Sequence, residues 1–223
     1  MRLLLSLFLG LFAVTPMVFA EETTPARAQF QEVRRAGGVT LYSDGRDYVQ
    51  AVSLARGAKL MLALGSETSS GSMTLFQRQK ALHWFEDWRK KEQRAFSVIN
   101  AQFFNPGLGS TAPLAFSVKT KEGLKKGYAD DIEYMSKKML LLIGSRRARI
   151  VAYNDRPETL ARQKEGQIIV GLHVEASKSA TSAVGRNFVG VKRTGEVIFF
   201  SSPKAKQAYA ADVLEASAFR KRT

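Results

Sequence analysis

The first group of side chains suited to chemistry lies between Asn100 and Phe104. Asn100 and Gln102 are two residues apart and are followed by the adjacent phenylalanines Phe103 and Phe104. On an extended chain Asn100 and Gln102 face the same side, where their amides can pair with the hydroxyls of a sugar. Flat apolar rings suit the faces of a pyranose, so this segment is suited to carbohydrate recognition. The alternative is an asparagine that only satisfies backbone groups at the end of a strand.

The second group runs from His173 and Glu175 through Lys178 to Arg186. The residues between Lys178 and Arg186 are mostly Ser, Thr, Ala and Gly, which permit a loop to lie closely against a ligand. Lys178 and Arg186 can hold an anion from two sides, and a guanidinium matches phosphate oxygens in a bidentate fork. The alternative is a mobile surface loop with incidental cations.

Composition excludes several other kinds of site. The chain has 223 residues and no cysteine, which excludes thiol nucleophiles, zinc–thiolate sites and redox disulfides. Its two histidines, His83 and His173, are too few for a multi-histidine metal centre. It has no Walker loop, no dinucleotide-binding glycine motif, no zinc-protease helix motif and no nucleophile elbow. The sequence therefore predicts neither a cofactor nor a metal site.

Residues 1–20 have the pattern of a secretory signal peptide. Arg2 precedes an apolar run from Leu3 to Val14, Pro16 interrupts it, and small residues stand just before Glu21. The alternative, a membrane anchor, is disfavoured because the apolar run is shorter than a span of about 20 residues. We therefore expect a secreted or periplasmic protein that meets no intracellular nucleic acid and keeps no membrane span after cleavage.

The charge of the chain predicts anionic partners. The formal net charge is +14 and the isoelectric point is near 10.1. Such a protein is attracted to polyanions such as phosphorylated polysaccharides or other anionic glycans. Because the basic residues are spread along the chain, mostly in pairs beside turns, they are also typical of a solvated surface.

Hydrophobic periodicity predicts the elements that must position these groups. Alternation favours about eight strands and helical spacing favours two helices, so the expected fold class is α+β, with a mixed or antiparallel β-sheet core and a few flanking helices. We expect a flexible leader over 21–36 and a single domain over 37–223. The expected elements include strands at 60–64 and 95–100, a loop at 66–72, a helix from Leu75 to Trp88, a hairpin at Thr194-Gly195 and a helix over 204–219.

Five pieces of the sequence, taken in order, resemble the phosphodiester glycosidase family, which includes the catalytic domain of the lysosomal uncovering enzyme and many exported bacterial proteins. The pieces are Asn100 with Phe103 and Phe104, Pro113 to Lys119, Gly127 with Tyr128, Gly171 to Lys178, and Arg186 to Val191 before Gly195. The resemblance covers about residues 38–215. It implies hydrolysis of a sugar–phosphate diester at the anomeric carbon, which yields a free sugar and a phosphomonoester.

The resemblance also implies residue roles. Asn100 and Arg186 match the most characteristic positions of the family, so they are the expected catalytic residues. Lys119 and Lys178 match basic positions that are frequent in its bacterial branch. On this hypothesis Arg186, with Lys178, neutralises charge on the departing phosphate, while Asn100 and Gln102 orient the sugar. His173 and Glu175 complete the expected substrate-binding set.

One departure from the family pattern qualifies this expectation. Members of the family continue after the last helix into a strand with an Asp-Gly-Gly-type motif that supplies an acidic group, whereas this sequence ends at Thr223. We therefore expect a C-terminally truncated domain with impaired activity. Asp130, Asp131 and Glu175 are available acids, but no pattern places them. The alternative function is a non-catalytic binding protein for anionic cell-surface glycans.

Overall fold

The computed structural model describes residues 30–70, 73–91, 95–101, 109–129, 137–153, 160, 162–164, 166–174, 176 and 181–219. Within these ranges the chain forms thirteen strands and two α-helices of eleven and thirteen residues, and the strand pairs are antiparallel. The predicted α+β class with an antiparallel sheet core and few helices is confirmed. The predicted signal peptide and the predicted site residues Gln102, Glu175 and Lys178 lie outside the described residues.

The first sheet contains five strands from the two ends of the described chain. Its strands, in spatial order, are β1 (Gln31–Ala36), β2 (Val39–Ser43), β3 (Tyr48–Val52), β13 (Val197–Ala205) and β12 (Val184–Val191). Strands β1 and β2 are joined by Gly37 and Gly38, whose φ angles of 50° and 82° are readily adopted only by glycine. The predicted hairpin at Thr194-Gly195 is confirmed, since Gly195 has a φ of 80° between β12 and β13.

The second sheet also has five strands, and a smaller sheet has three. The second sheet has the order β10 (Ala148–Ala152), β9 (Lys138–Ile143), β11 (Gln167–Leu172), β7 (Val118–Thr120) and β8 (Gly123–Lys125). The small sheet has the order β4 (Glu67–Ser70), β5 (Met73–Gln77) and β6 (Thr111–Ala112). The helices are α1 (Ala81–Lys91) and α2 (Gln207–Phe219).

The two five-stranded sheets pack face to face through their apolar side chains. One buried cluster combines Val52 and Val197 of the first sheet with Leu141, Ile143 and Ile169 of the second. The opposite, outer face of the first sheet packs against α2, and the outer face of the second sheet has its own buried cluster. The core is therefore a sandwich of two sheets with a helix on one side.

The hairpin β1–β2 corrects the expected extent of the flexible leader. Residues 31–36 form strand β1, although all six side chains are exposed. Because neither face of this strand is buried, its sequence shows no alternation of apolar and polar residues. Backbone pairing with β2 holds it in place.

Several element boundaries between 60 and 100 also differ from the expectations. The 66–72 segment contains strand β4, and Leu75 belongs to β5, so the helix begins only at Ala81. Residues 60–64 and 95–100 are not paired as strands. In the first case the buried side chain of Gln167 takes the place of a partner strand: Leu62 N donates to its Oε1 at 2.7 Å and its Nε2 donates to Leu60 O at 2.8 Å.

The last helix is shorter than expected, because Lys204 and Ala205 belong to β13 and α2 begins at Gln207. Across the described residues, neither helix has the length and apolar character required to cross a membrane. The helix α2 packs along β12 and β13, where Leu214 lies close to Gly190.

Candidate functional site

A cavity of about 2380 Å³ extends from the packed faces of the two five-stranded sheets to the small sheet, α1 and the segments 57–65 and 95–101, and we call it the inter-sheet cleft. Its walls include Asn100, His173 and Arg186, three of the residues that the sequence predicts for the site. Two segments far apart in the sequence therefore contribute to one cleft.

The segment 95–101 crosses the inner face of the first sheet and is held there by side chains. Ser97 Oγ donates a hydrogen bond of 2.8 Å to Oε1 of the buried Gln50 in β3. Asn187 Nδ2, in β12, donates a bond of 3.0 Å to the backbone oxygen of Asn100. This second bond spans 87 residues of sequence and joins the two polar segments. Asn100 itself is exposed.

Arg186 is half-buried on the edge strand β12, beside Asn187. Its Nε donates to Ala205 O at 2.8 Å and its Nη2 donates to Ser182 O at 3.0 Å. Because side chains alternate along a strand, Arg186 and Asn187 project from opposite faces of β12. Because Asn187 reaches Asn100 on the inner face, the Arg186 side chain lies on the outer face, where it fixes the open end of the β12–β13 hairpin, although the residue is among those that border the cleft.

His173 follows β11 of the second sheet and is among the residues that line the cleft. Its backbone N donates to Lys137 O at 2.6 Å, and its carbonyl accepts from Ala176 N at 2.9 Å. Gln207, the first residue of α2, donates through Nε2 to Val174 O and, at 2.8 Å, to Ala176 O. The start of α2 therefore holds the 173–176 turn against the cleft.

The structure does not bring Lys119 together with the other predicted residues. Lys119 pairs across the second sheet with Ile168, a member of the outer buried cluster, and its Nζ donates to Gln163 O at 2.6 Å. The adjacent Val118 faces the cleft. Alternation along β7 therefore places Lys119 on the outer face of its sheet, away from the cleft, and its expected role in substrate binding stays a prediction.

The charged side chains that line the cleft are all basic among the residues described. They are Arg34, Lys59, Arg78, Lys121, Lys164 and Arg186. No aspartate or glutamate of the described chain lines the cleft. The three acids that the sequence offered, Asp130, Asp131 and Glu175, lie outside the described residues. A cleft with this charge attracts an anionic ligand and repels a cationic one.

A smaller cavity of about 230 Å³, which we call the Tyr48 pocket, lies where 96–99 covers the first sheet. It is lined by five apolar residues, Leu41, Phe96, Val98, Ile99 and Phe199, and by Arg34, Tyr48, Gln50, Ser97 and Ser201. The sequence analysis missed all of these residues. Period-two alternation places Tyr48 on the same face as Gln50, and Ser201 on the same face as Phe199. Finding the pocket also requires the register between these strands, and sequence alone does not supply that register.

The outer face of the first sheet carries an ionic cluster that combines a buried aspartate with an exposed arginine. Asp47 is fully buried, and Arg46 donates to its Oδ1 at 3.1 Å and its Oδ2 at 2.7 Å. Burial alone raises the pKa of Asp47, but hydrogen bonds from Arg46, Ser202 and Tyr209 outweigh it and lower the pKa below its ordinary value. Burial and the bond to Asp47 raise the pKa of Tyr209 on α2. This cluster anchors α2 to the sheet.

Comparison with protein-family models, with curated proteins and with solved structures finds no match to this chain. The functional assignment therefore depends on the residues of the cleft. These are exposed amides, a half-buried arginine, a histidine turn and an all-basic set of charged walls in the described chain.

Proposed function

We propose that this chain binds a phosphorylated carbohydrate in the inter-sheet cleft and hydrolyses a sugar-1-phosphate diester, as expected for an exported protein resembling the phosphodiester glycosidases. The observation that carries the proposal is the hydrogen bond from Asn187 to Asn100. It joins the amide-bearing segment to the strand of Arg186 in the wall of one cleft.

The charge of the cleft supports a phosphate-bearing ligand. Hydrolysis breaks the bond between the anomeric carbon and the phosphate oxygen, and water supplies the hydroxyl that replaces it. The leaving phosphomonoester gains negative charge, which basic side chains in the cleft would stabilise. Because a phosphomonoester is a good leaving group, the need for a strong general acid is lower than in ordinary glycoside hydrolysis.

The geometry divides the roles of Asn100 and Arg186. Asn100 is exposed at the cleft, where its amide can orient sugar hydroxyls. Arg186 has a guanidinium whose plane is set by its bonds to Ser182 O and Ala205 O. In the proposal Arg186 acts by holding β12, and with it Asn187, at the wall of the cleft. The expected neutralisation of the phosphate by Arg186 and Lys178 stays a prediction, and Lys178 lies outside the described residues.

A second candidate function is a non-catalytic binding protein for anionic cell-surface glycans. One observation favours it: none of the acidic residues within the described ranges lines the cleft. A glycosidase needs a group to activate water, whereas a binding protein needs only amides and cations.

The two candidates differ in what the full chain does to a sugar-1-phosphate methyl diester. We expect release of reducing sugar, abolished by Arg186→Ala and preserved in the control variant Arg193→Ala. Arg193 is an exposed cation of the β12–β13 turn, so its removal changes net charge equally without touching the cleft.

The opposite result would favour the binding protein. In that case no reducing sugar appears, the chain is retained on an anionic polysaccharide column, and Arg186→Ala weakens the retention more than Arg193→Ala. Absence of both turnover and retention would contradict both candidates.

A further inference from the structure

Strand register in the first sheet creates a polar row across four neighbouring strands. Ser43 pairs with Tyr48, Tyr48 pairs with Ser201, and Ser201 pairs with Asn187. These residues share the face of the sheet that borders the cleft, because they stand two or four positions from the inward residues of the same strands. The row lies beside the segment that Asn187 holds through Asn100.

Tyr48 is the unusual member of this row. Its side chain is 45% exposed, although it stands on the inner face of a sandwich sheet. Serines stand directly opposite it on both neighbouring strands, while Leu41 and Phe199, two positions further along those strands, line the same pocket. An aromatic ring bordered by hydroxyls and amides matches a sugar, whose ring face is apolar and whose edge carries hydroxyls.

Arg34 supplies a cation at the same pocket. It stands on β1 in register with Leu41, and Leu41 is in register with Gln50, so Arg34 belongs to the next row of the same face. Its guanidinium carbon lies 4.8 Å from the centroid of the Phe96 ring. A cation–π contact of this kind restricts the guanidinium while its edge remains able to donate to an anion.

The size of the Tyr48 pocket limits what it can hold. Its volume of about 230 Å³ is smaller than the roughly 300–1,000 Å³ of pockets for drug-sized ligands. A single sugar ring is therefore a better match than an oligosaccharide. The neighbouring guanidinium favours a ring that carries a negative group.

We infer that the Tyr48 pocket is a sugar-phosphate subsite, in which the Tyr48 ring stacks on one sugar ring, Ser201 bonds its hydroxyls and Arg34 binds its phosphate. The class of ligand in this inference rests on the proposed function. The residues that bind the ligand are ones that neither the sequence pattern nor the resemblance identified. The inference also places the phosphate beside β1, within the segment expected to be a flexible leader.

Calorimetric titration of the full chain tests this subsite. The probes are glucose, galactose and N-acetylglucosamine, each as the neutral sugar and as its 1-phosphate. For each 1-phosphate that the unmodified chain binds, we expect Tyr48→Ala to weaken binding roughly tenfold. We expect Tyr48→Phe to preserve binding, because stacking needs the ring and not the hydroxyl. We expect Arg34→Ala to weaken binding of the 1-phosphate roughly tenfold and to leave binding of the neutral sugar unchanged.

The matched control for Arg34 is Arg35→Ala. Arg35 is the next residue of β1, and its guanidinium pairs with Glu32 and is not among the walls of the pocket. The inference is overturned if Tyr48→Ala binds as tightly as the unmodified chain, if Arg34→Ala behaves as Arg35→Ala does, or if no sugar 1-phosphate in the panel binds. Thermal unfolding of each variant confirms that a lost signal reflects the site and not the fold.

The inference and the proposed function fail separately. If the diester is not hydrolysed but the 1-phosphate binds and responds to Tyr48 and Arg34, the subsite stands and the hydrolase does not. If the diester is hydrolysed and Tyr48→Ala leaves kcat/KM unchanged, the function stands and the subsite does not.

Discussion

The two ends of the inner face of the first sheet differ sharply, although the same strands build both. At one end Val39 pairs with Val52 and Val52 with Val197, and their exposed fractions are 9%, 1% and 0%. At the other end the row of Ser43, Tyr48, Ser201 and Asn187 includes a tyrosine that is 45% exposed. Val197 and Ser201 are four residues apart, about 13 Å along one strand.

This comparison shows how the sandwich divides packing from binding. Val52 and Val197 pack against Leu141 and Ile169 of the second sheet, so they contribute to stability. Four residues further along β13, the polar row meets the loop 95–101 and a pocket instead. A single sheet face can therefore hold a core and a candidate site without a change of strand or side.

The largest expected effect comes from placing the same charge at each end. Val197→Asp buries an unpaired carboxylate among apolar residues and should lower the free energy of unfolding by roughly 3–5 kcal/mol or more. Ser201→Asp, on the same strand and face, should change it by no more than about 0.5 kcal/mol. Urea unfolding followed by tryptophan fluorescence measures both. Similar losses of stability in the two variants would contradict the division of the face.

The next effect concerns the outer face at the polar end, where Asp47 anchors α2. Asp47→Asn removes charge-assisted hydrogen bonds to Arg46, and we expect a loss of about 1–3 kcal/mol at pH 7. The pKa of Asp47 is lower in the folded chain than in the unfolded chain, where it is about 3.9. Its contribution to the free energy of unfolding is therefore fully present above about pH 3.9 and is lost as the pH falls through the lower folded pKa.

The pH dependence gives this prediction its control. Between pH 7 and pH 3 the unmodified chain should lose more stability than the Asp47→Asn variant, since the variant has no carboxylate there to protonate. Thermal unfolding at the two pH values measures the difference. Equal losses would mean that the cluster does not stabilise the folded state through its charge.

A smaller loss of stability than at Asp47 is expected where the polar row holds the segment 95–101. Asn187→Ala removes the bond to the Asn100 carbonyl and should cost only about 0.5–1.5 kcal/mol. The same change should speed proteolysis within 95–101, because this segment has no strand pairing to hold it. Limited proteolysis with mass spectrometry locates the cleavage. An unchanged cleavage pattern would show that Asn187 does not anchor the segment.

The fold class and the strands with a continuous apolar run or a clear turn signal could be predicted from sequence. Strands such as β9 and β11 have continuous apolar runs, and the β12–β13 hairpin has a clear Thr-Gly turn. Strand β1 could not be predicted, because backbone pairing alone positions it and no side-chain pattern records that. The strand expected at 60–64 failed for the opposite reason: its continuous apolar run predicts a strand, and Leu60, Leu62 and Leu64 pack against the core, but Gln167 supplies its hydrogen bonds.

The candidate site was predictable only in part. Asn100 and Arg186 were chosen for their chemistry, and the structure brings both to one cleft. Lys119 was chosen for its charge, but alternation along β7 directs it to the other face. Tyr48 and Ser201 were missed because they come together through the pairing of β3 with β13, which are separated by most of the chain.

The central claim is that the polar end of the first sheet binds a phosphorylated sugar. The most direct measurement is a crystal structure of the full chain with a bound sugar 1-phosphate. The account predicts the sugar ring against Tyr48, hydroxyls within bonding distance of Ser201, and the phosphate at Arg34. A sugar phosphate bound elsewhere, such as on the outer face of the second sheet near Lys119, would contradict it.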